Sequence, residues 1–216
     1  MGESIVLERK STSHKLTVYD DILPVPLLEK ITEFIQGKGE KIALHNKTYW
    51  YSFNNEDSPI AEIIDYLKPL IQNMVSEEIV GAEWWVNYKH KSKMGHIIHR
   101  DIDDKLYFKT GEIKRPNFGS VLYFGQEEGL SGNLVVFTSP FSRTPLYIPP
   151  EPNRFVVFDA GNLPHGVTDE FGQIIDDKSE KDIKNIENLS DLNDIRISLP
   201  INWWCEQLTD PDKFNL

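Results

Sequence analysis

The feature that most constrains this chain is a series of short strand-like segments beginning at Ala82. In AEWWVNYKH, large apolar side chains alternate with a second set of residues, a period typical of a half-buried strand. The first set is Trp84, Val86 and Tyr88, and the second is Trp85, Asn87 and Lys89. FGSVLYFG, NLVVFTS, NRFVVFDA and IRISLPINWW follow, rich in β-branched and aromatic residues and bounded by turn formers. Such spacing favours a sandwich or barrel over alternating β-α units.

Two helices are predicted before these strands. LLEKITEFIQGKG, from Leu27, has apolar residues at helical spacing and is expected to end at glycine. A second helix is predicted to begin at Ser58-Pro59, with Pro69 kinking it or ending its regular part. The segment 37–58 between them has no helical period and is interpreted as a packed loop or a substrate lid.

These patterns predict a mostly β fold with supporting α, organised as one domain over residues 1–216. Residues 1–81 would give helical support, and residues 82–204 would form the strand-built core. Between 169 and 194 the core is interrupted by nine acidic residues and three lysines, a net charge of −6. We interpret this acidic insertion as a solvated loop, with a helical piece around residues 178–189.

Charge and composition limit which partners and which cellular compartment we expect for this protein. A net charge of −11 argues against binding a nucleic-acid backbone. No apolar run reaches the length of a membrane span, and MGESIVLERK lacks the apolar stretch of a secretory signal. Cys205 is the single cysteine, so no disulfide can form within the chain. We therefore expect a cytoplasmic protein without membrane or nucleic-acid partners; its oligomeric state stays open.

The triplet His99-Arg100-Asp101 is a candidate metal site. Residues two apart on a strand face the same way, so His99 and Asp101 can present an imidazole and a carboxylate to one ion. His165, in NLPHGV, could supply a third ligand. Two histidines and one carboxylate leave coordination positions open, as iron(II) oxygenases require. The triplet alone also occurs by chance. His96, three residues before His99, is expected to face the other way.

The run from Trp84 to Trp204 resembles the double-stranded β-helix (jelly-roll) core of the 2-oxoglutarate-dependent oxygenases, particularly the prolyl-hydroxylase-like branch. Four segments carry the resemblance, in the expected order. They are the His99-Arg100-Asp101 triplet, SVLYFGQEEGLSGNLVVF, NRFVVFDAGNLPHGV and Arg196-Ile197-Ser198. The predicted N-terminal helices also resemble the helical support that precedes such a core.

This resemblance implies a role for each matched position. His99, Asp101 and His165 would bind Fe(II). Arg196 would pair with the distal carboxylate of 2-oxoglutarate, because a planar guanidinium can donate two parallel hydrogen bonds to a carboxylate. Ser198 would add a hydrogen bond, and Tyr123 is a further candidate for the same carboxylate.

Two positions depart from the family pattern. Arg196 lies 31 residues after His165, farther than usual, and the acidic insertion accounts for the difference. The turn Ser131-Gly132-Asn133-Leu134 has one glycine where the family has a pair.

The resemblance implies a dioxygenase that uses O2 and 2-oxoglutarate to hydroxylate an amino acid, a small metabolite or a peptidyl side chain. Desaturation or ring formation would use the same iron chemistry. Two other classes stay open at this point: a cupin-like metal isomerase or sensor without 2-oxoglutarate, and a jelly-roll binding module without iron. The cupin-like class gives Arg196 and Ser198 no reason to face the metal.

Overall fold

The computed structural model describes most of the chain. The described residues are 4–5, 16–44, 47–54, 57–90, 95–124, 132–139, 141–175 and 195–214. The strands are β1 (Ser4–Ile5), β2 (Leu16–Tyr19), β3 (Tyr49–Tyr51), β4 (Gly81–Trp84), β5 (Asn87–His90), β6 (His96–His99), β7 (Phe118–Phe124), β8 (Leu134–Phe137), β9 (Pro145–Ile148), β10 (Phe155–Phe158), β11 (His165–Val167) and β12 (Ile195–Trp204). The helices are α1 (Val25–Leu44), α2 (Pro59–Gln72) and α3 (Asp104–Thr110).

The strands form two antiparallel sheets. The larger has eight strands in the order β1-β2-β10-β7-β12-β4-β3, and β5 also pairs with β12. The smaller has four strands in the order β6-β11-β8-β9. The strand β12 pairs with β7 along one edge and with β4 and β5 along the other. It therefore joins β3, β4 and β5 to the rest of the larger sheet.

Each face of the larger sheet is covered by its own apolar core. On the outer face, α1 and α2 pack through fully buried residues such as Ile31, Ile35 and Ile63. Burying a side chain of this size stabilises the fold by about 1.5–3 kcal/mol. On the inner face, residues such as Val156 and Phe158 pack against Leu134 of the smaller sheet. The space between the two sheets also holds the polar residues considered below.

The alternation predicted for AEWWVNYKH is observed, although two strands replace the single one expected. Trp84 and Tyr88 are buried in the outer core. Trp85, Asn87 and Lys89 line a cavity between the sheets. The strand breaks after Trp84 and resumes at Asn87, and both halves pair with β12.

Both helices before β4 differ from the predicted bounds. We expected the first to end at glycine, but α1 continues through Gly37 to Leu44. Glycine costs a helix about 1 kcal/mol, whereas burying Ile42 beyond it returns about 1.5–3 kcal/mol. The second begins as predicted, because the Ser58 hydroxyl accepts a hydrogen bond from the Ala61 N–H at 3.1 Å. It then runs through Pro69 to Gln72.

In the described part of the segment between these helices, residues 47–54, the structure has a strand where a packed loop or substrate lid was expected. Tyr49, Trp50 and Tyr51 form β3, which pairs with β4 and extends the larger sheet. All three side chains are buried. The region 1–81 is therefore not only helical, since β2 and β3 both belong to the larger sheet. None of the helices in the described ranges is long and apolar enough to cross a membrane.

Most of the acidic insertion, including the proposed helical piece around 178–189, lies outside the described residues. Its first part, up to Ile175, is described, and Phe171 there is largely exposed.

Candidate metal and co-substrate site

The three predicted metal ligands meet at one end of the smaller sheet. His99 is the last residue of β6 and His165 is the first residue of β11, and the two are direct cross-strand partners. Asp101 follows just beyond the end of β6. One ligand atom from each residue lies within 4.8 Å of the other two. The structure therefore brings together residues that the sequence separates widely.

Both imidazoles direct the Nε2 atom towards Asp101. The Nε2 atoms of His99 and His165 lie 3.2 Å and 3.5 Å from Asp101 Oδ1. The Nδ1 atoms contact the backbone carbonyls of Ile97 and Leu163 at 2.9 Å and 3.0 Å. A carbonyl only accepts hydrogen bonds, so each Nδ1 carries a proton and donates it. Each Nε2 is thereby left as the nitrogen that a metal could bind in place of a proton.

Backbone contacts on both sides hold Asp101 in place. Its N–H donates to the Ala160 carbonyl at 3.1 Å, and two residues later Asp103 caps α3. The Asp103 carboxylate accepts from the N–H groups of Leu106 and Thr209 at 3.0 Å and 2.9 Å. The short connection from Asp101 to Asp103 is therefore fixed at both ends.

The electrostatics of this cluster favour an ionised carboxylate. Burial by itself raises the pKa of the Asp101 carboxyl. In the metal-free protein, rings of His165 and His99 that also carry a proton on Nε2 are positively charged and donate to Asp101; this outweighs burial and holds that pKa well below its usual range. A carboxylate must be deprotonated to bind a metal, and Asp101 is in that ionised form across the physiological pH range. Phe158 packs edge-on against the His165 ring, with centroids 4.8 Å apart.

The orientation predicted for His96 is wrong. His96 lines the same cavity as His99, and the two rings are 4.6 Å apart. The reason is a register shift: His165 pairs with His99 and Val167 pairs with His96, so β6 has one residue more than β11 over this span. Such a bulge turns the strand and reverses the expected face. His96 is not part of the ligand cluster found among the described residues.

Gly166 is what allows β6 and β11 to approach at this bulge. A Cβ atom added there would lie 2.7 Å from the His96 carbonyl oxygen and 2.8 Å from that of Ile97. Both are backbone atoms and cannot rotate away. The site therefore requires glycine immediately after the candidate ligand His165.

Arg196, Ser198 and Tyr123 form a second polar group, on the larger sheet. Arg196 is buried (3% exposed), and within the described part of the chain it donates to the Gly132 carbonyl while no carboxylate pairs with it. Ser198 is the cross-strand partner of Tyr123, and the guanidinium lies 5.5 Å from the Tyr123 ring centroid. The hydroxyls of Ser198 and Tyr123 are buried and lack hydrogen-bond partners among the described residues.

This second group fits an anion that the described residues do not supply. A buried cation costs several kcal/mol unless it is paired, and two buried hydroxyls without partners add to that cost. Burial raises the pKa of the Tyr123 phenol, so it stays protonated as a donor. Arg196 lines the same cavity as His99, Asp101 and His165. Both the donor set for a metal and the donor set for a carboxylate are present.

Several residues that the sequence interpretation did not assign also line the cavity. They are Trp85, Asn87, Lys89, His96, Val121, Leu134, Pro200 and Asn202. The alternation in AEWWVNYKH places Trp85, Asn87 and Lys89 on the face opposite Trp84 and Tyr88. That pattern could have indicated that these three residues line the cavity. His96 carried no such signal, because a bulge cannot be inferred from spacing.

Comparisons with known proteins give matches at the level of structure only. No protein-family model matches the sequence, and no curated protein matches it. The prolyl-4-hydroxylase of Pseudomonas putida superposes with a TM-score of 0.54 at 17% identity, covering 89% of this chain and 88% of that one. A prolyl hydroxylase from Trichoplax adhaerens, solved with a hypoxia inducible factor peptide fragment, has a TM-score of 0.51 at 14% identity. It covers 88% of this chain and 83% of that one.

A third structure is EctD from S. alaskensis, solved with 2-oxoglutarate and 5-hydroxyectoine. Its TM-score is 0.54 at 13% identity, covering 92% of this chain and 76% of that one. At such identities the likeness concerns the fold. The two sheets and the cavity between them therefore give this chain the jelly-roll fold of prolyl-hydroxylase-like 2-oxoglutarate oxygenases.

Proposed function

We propose that the protein is an Fe(II)- and 2-oxoglutarate-dependent dioxygenase that hydroxylates an unactivated C–H bond of an amino acid, a small metabolite or a peptidyl side chain. The observation that carries the proposal is the pairing of two donor sets in one cavity. His99, Asp101 and His165 suit a divalent metal with open positions. Arg196, beside two unpartnered hydroxyls, suits a carboxylate.

Each set has a distinct role in this proposal. His99, Asp101 and His165 would hold iron, and Arg196, Ser198 and Tyr123 would hold the distal carboxylate of 2-oxoglutarate. Bound together, iron and 2-oxoglutarate use O2 to convert a C–H bond into C–OH, releasing succinate and CO2. The chain orients both groups and keeps water from the buried end of the cavity, where Arg196 lies. The cytoplasmic location and the absence of nucleic-acid partners belong to the same proposal.

The test is succinate formation from 2-oxoglutarate by the iron(II)-loaded protein, with amino acids and peptides screened as substrates. We expect consumption of 2-oxoglutarate by the wild type and its loss in His165→Ala and Arg196→Met. Arg143→Met is the matched control for Arg196, because Arg143 is exposed and does not line the cavity.

Two outcomes would contradict the proposal. Equal 2-oxoglutarate consumption by the wild type and His165→Ala would remove the metal site from the reaction. A wild type that binds metal but neither binds nor consumes 2-oxoglutarate would favour the cupin-like alternative.

A further inference from the structure

The helix α3 begins only three residues after the candidate ligand Asp101, and none of its own side chains is buried. A helix this short is marginal without packing, because few hydrogen bonds offset the entropy lost in ordering it. Contacts from another part of the protein must therefore hold α3 in place. In the described part of the chain, those contacts come from residues 205–214, which we call the C-terminal strap.

The C-terminal strap is itself anchored to the larger sheet. Near its start, the Cys205 N–H donates to Asn117 Oδ1 at 2.9 Å, and Leu208 is buried. At its other end, the Phe214 ring packs against Tyr49 with centroids 5.0 Å apart. These contacts hold the strap on the sheet without any contribution from α3.

Three lysines join α3 and the residues after it to the C-terminal strap. Lys105 Nζ donates to the Asp210 carbonyl at 2.6 Å and to Asp212 Oδ2 at 3.1 Å. Lys109 Nζ lies 2.6 Å from Asp210 Oδ2, and Lys114 Nζ donates to a strap carbonyl at 2.8 Å. Because most of these contacts are exposed, each one contributes only modestly, and α3 depends on several of them together.

One buried contact links the strap directly to the connection between the metal site and α3. Asp103 is 4% exposed, and its two carboxylate oxygens have different partners. Oδ1 accepts from the Leu106 N–H of α3 at 3.0 Å, and Oδ2 accepts from the Thr209 N–H of the strap at 2.9 Å. The Asp103 N–H also donates to the Lys114 carbonyl at 2.8 Å. The chain is thus pinned to the strap two residues after Asp101.

We propose that Asp103 is a positioning residue, which keeps Asp101 in the geometry that the metal requires by tying the chain after Asp101 to the C-terminal strap. The other tie is the hydrogen bond from the Asp101 N–H to the Ala160 carbonyl. Without the contact to Thr209, α3 and the connection before it would shift together, since no side chain of α3 is buried. The Asp101 carboxylate would then lose its alignment with the two histidines. This inference rests on the metal site of the proposed function.

The test compares metal binding by a variant of Asp103 with the loss of a helix cap elsewhere. The metal-free protein is titrated with manganese(II) by calorimetry. Asp103→Asn leaves one acceptor oxygen for the two N–H groups, and we expect affinity to fall about 10- to 100-fold. Ser58→Ala removes the cap of α2, where the hydroxyl accepts from the Ala61 N–H. It should lower the melting temperature without changing manganese(II) affinity.

Cobalt(II) gives a second readout, which a loss of stability alone does not change. Its visible absorption depends on the number and arrangement of the ligands around the ion. At saturating cobalt(II), the spectrum of Asp103→Asn should differ from that of the wild type, because the carboxylate of Asp101 is displaced. The spectrum of Ser58→Ala should match that of the wild type.

Lys105→Met tests the strap without replacing a buried residue. The variant removes the contacts of Lys105 with Asp210 and Asp212, and we expect manganese(II) affinity to fall about two- to fivefold. Lys30→Met is the matched control, because Lys30 is also exposed and joins two helices through its ion pair with Glu62. Its affinity for manganese(II) should equal that of the wild type.

Two results with Asp103→Asn would overturn the inference: manganese(II) affinity equal to that of the wild type, or a loss no greater than that of Ser58→Ala. If Asp103→Asn does not fold, equal affinities of Lys105→Met and Lys30→Met would overturn it. A wild type that binds no manganese(II) would overturn the proposed function as well. Normal binding by the wild type, with no effect of the Asp103 and Lys105 variants, would overturn only the positioning role.

Discussion

His99 and His165 are cross-strand partners whose ring centroids lie 4.4 Å apart, with both Nε2 atoms turned towards Asp101. The pairing of β6 with β11 thus sets the distance between two ligands, and backbone carbonyls set their tautomers. The chain has arranged these groups through its own hydrogen bonds. Metal binding should therefore need little rearrangement of the protein.

Replacing His165 by alanine should remove most of the metal affinity, because two ligands remain of three. We expect a loss greater than about 100-fold, beyond the range seen for outer contacts of a metal site. Calorimetry with manganese(II) or iron(II) measures it. His96→Ala is the matched control: it also lines the cavity, and near-normal metal affinity is expected. A comparable loss in both variants would refute the assignment of ligands.

Replacing Arg196 by lysine should weaken the binding of 2-oxoglutarate and leave the binding of the metal unchanged. Lysine keeps the charge but loses the planar pair of donors, so we expect KM for 2-oxoglutarate to rise about 10- to 100-fold. Steady-state succinate formation gives this value, and metal titration should be unchanged. Arg143→Lys serves as the exposed control. An unchanged KM would show that another residue holds the carboxylate.

Glu83 should make the metal-free fold less stable as pH rises towards neutrality. Burial is the main cause that raises the pKa of its carboxyl to about 7, with Asp101 and Asp104 adding repulsion and hydrogen bonds to Thr48 and Asn202 opposing it. Between about pH 4.5 and 7 the folded state holds a proton that the unfolded chain releases, so the free energy of unfolding falls across this window.

Urea denaturation from pH 5 to 8 tests this expectation. Glu83→Gln cannot lose a proton, so its stability should fall less than that of the wild type over this range. Glu29→Gln, at an exposed position of α1, should follow the wild type. Parallel pH profiles for the wild type and Glu83→Gln would count against the raised pKa.

Replacing Gly166 by alanine should disturb the site through the backbone. The added Cβ would press on the carbonyls of His96 and Ile97, so we expect a stability loss of about 1–3 kcal/mol and weaker metal binding. Gly37→Ala is the opposite control, since nothing lies within 4 Å of the added atom and helix propensity improves by about 1 kcal/mol. Thermal and urea unfolding compare the two. A neutral Gly166→Ala would mean that β6 can shift freely.

The sequence predicted those parts of the molecule that depend on local periodicity. Alternation separated Trp84 and Tyr88 from Asn87 and Lys89, because a regular strand has two faces. The placement of His99 with Asp101 also followed from alternation, even though Asp101 lies beyond the end of β6. The resemblance supplied Arg196 and Ser198, which are adjacent on the inner face of β12 and buried.

What could not be predicted depends on contacts between distant segments. Tyr49–Tyr51 looked like a loop because only pairing with β4 makes it a strand. The helix α1 passes Gly37 because packing of Ile42 outweighs a local preference. His96 faces the cavity because β6 has one extra residue relative to β11. The sequence of β6 alone does not show how that strand pairs with β11.

The position of β12 in the larger sheet has a consequence for biosynthesis. Its partners β4, β5 and β7 are all made earlier on the ribosome, and β12 fills the place between them. Until it emerges, those strands present unpaired edges, which are prone to pair with other chains. Arg196 arrives on this same strand. The nascent protein therefore gains Arg196 and the protection of its sheet edges in a single late step.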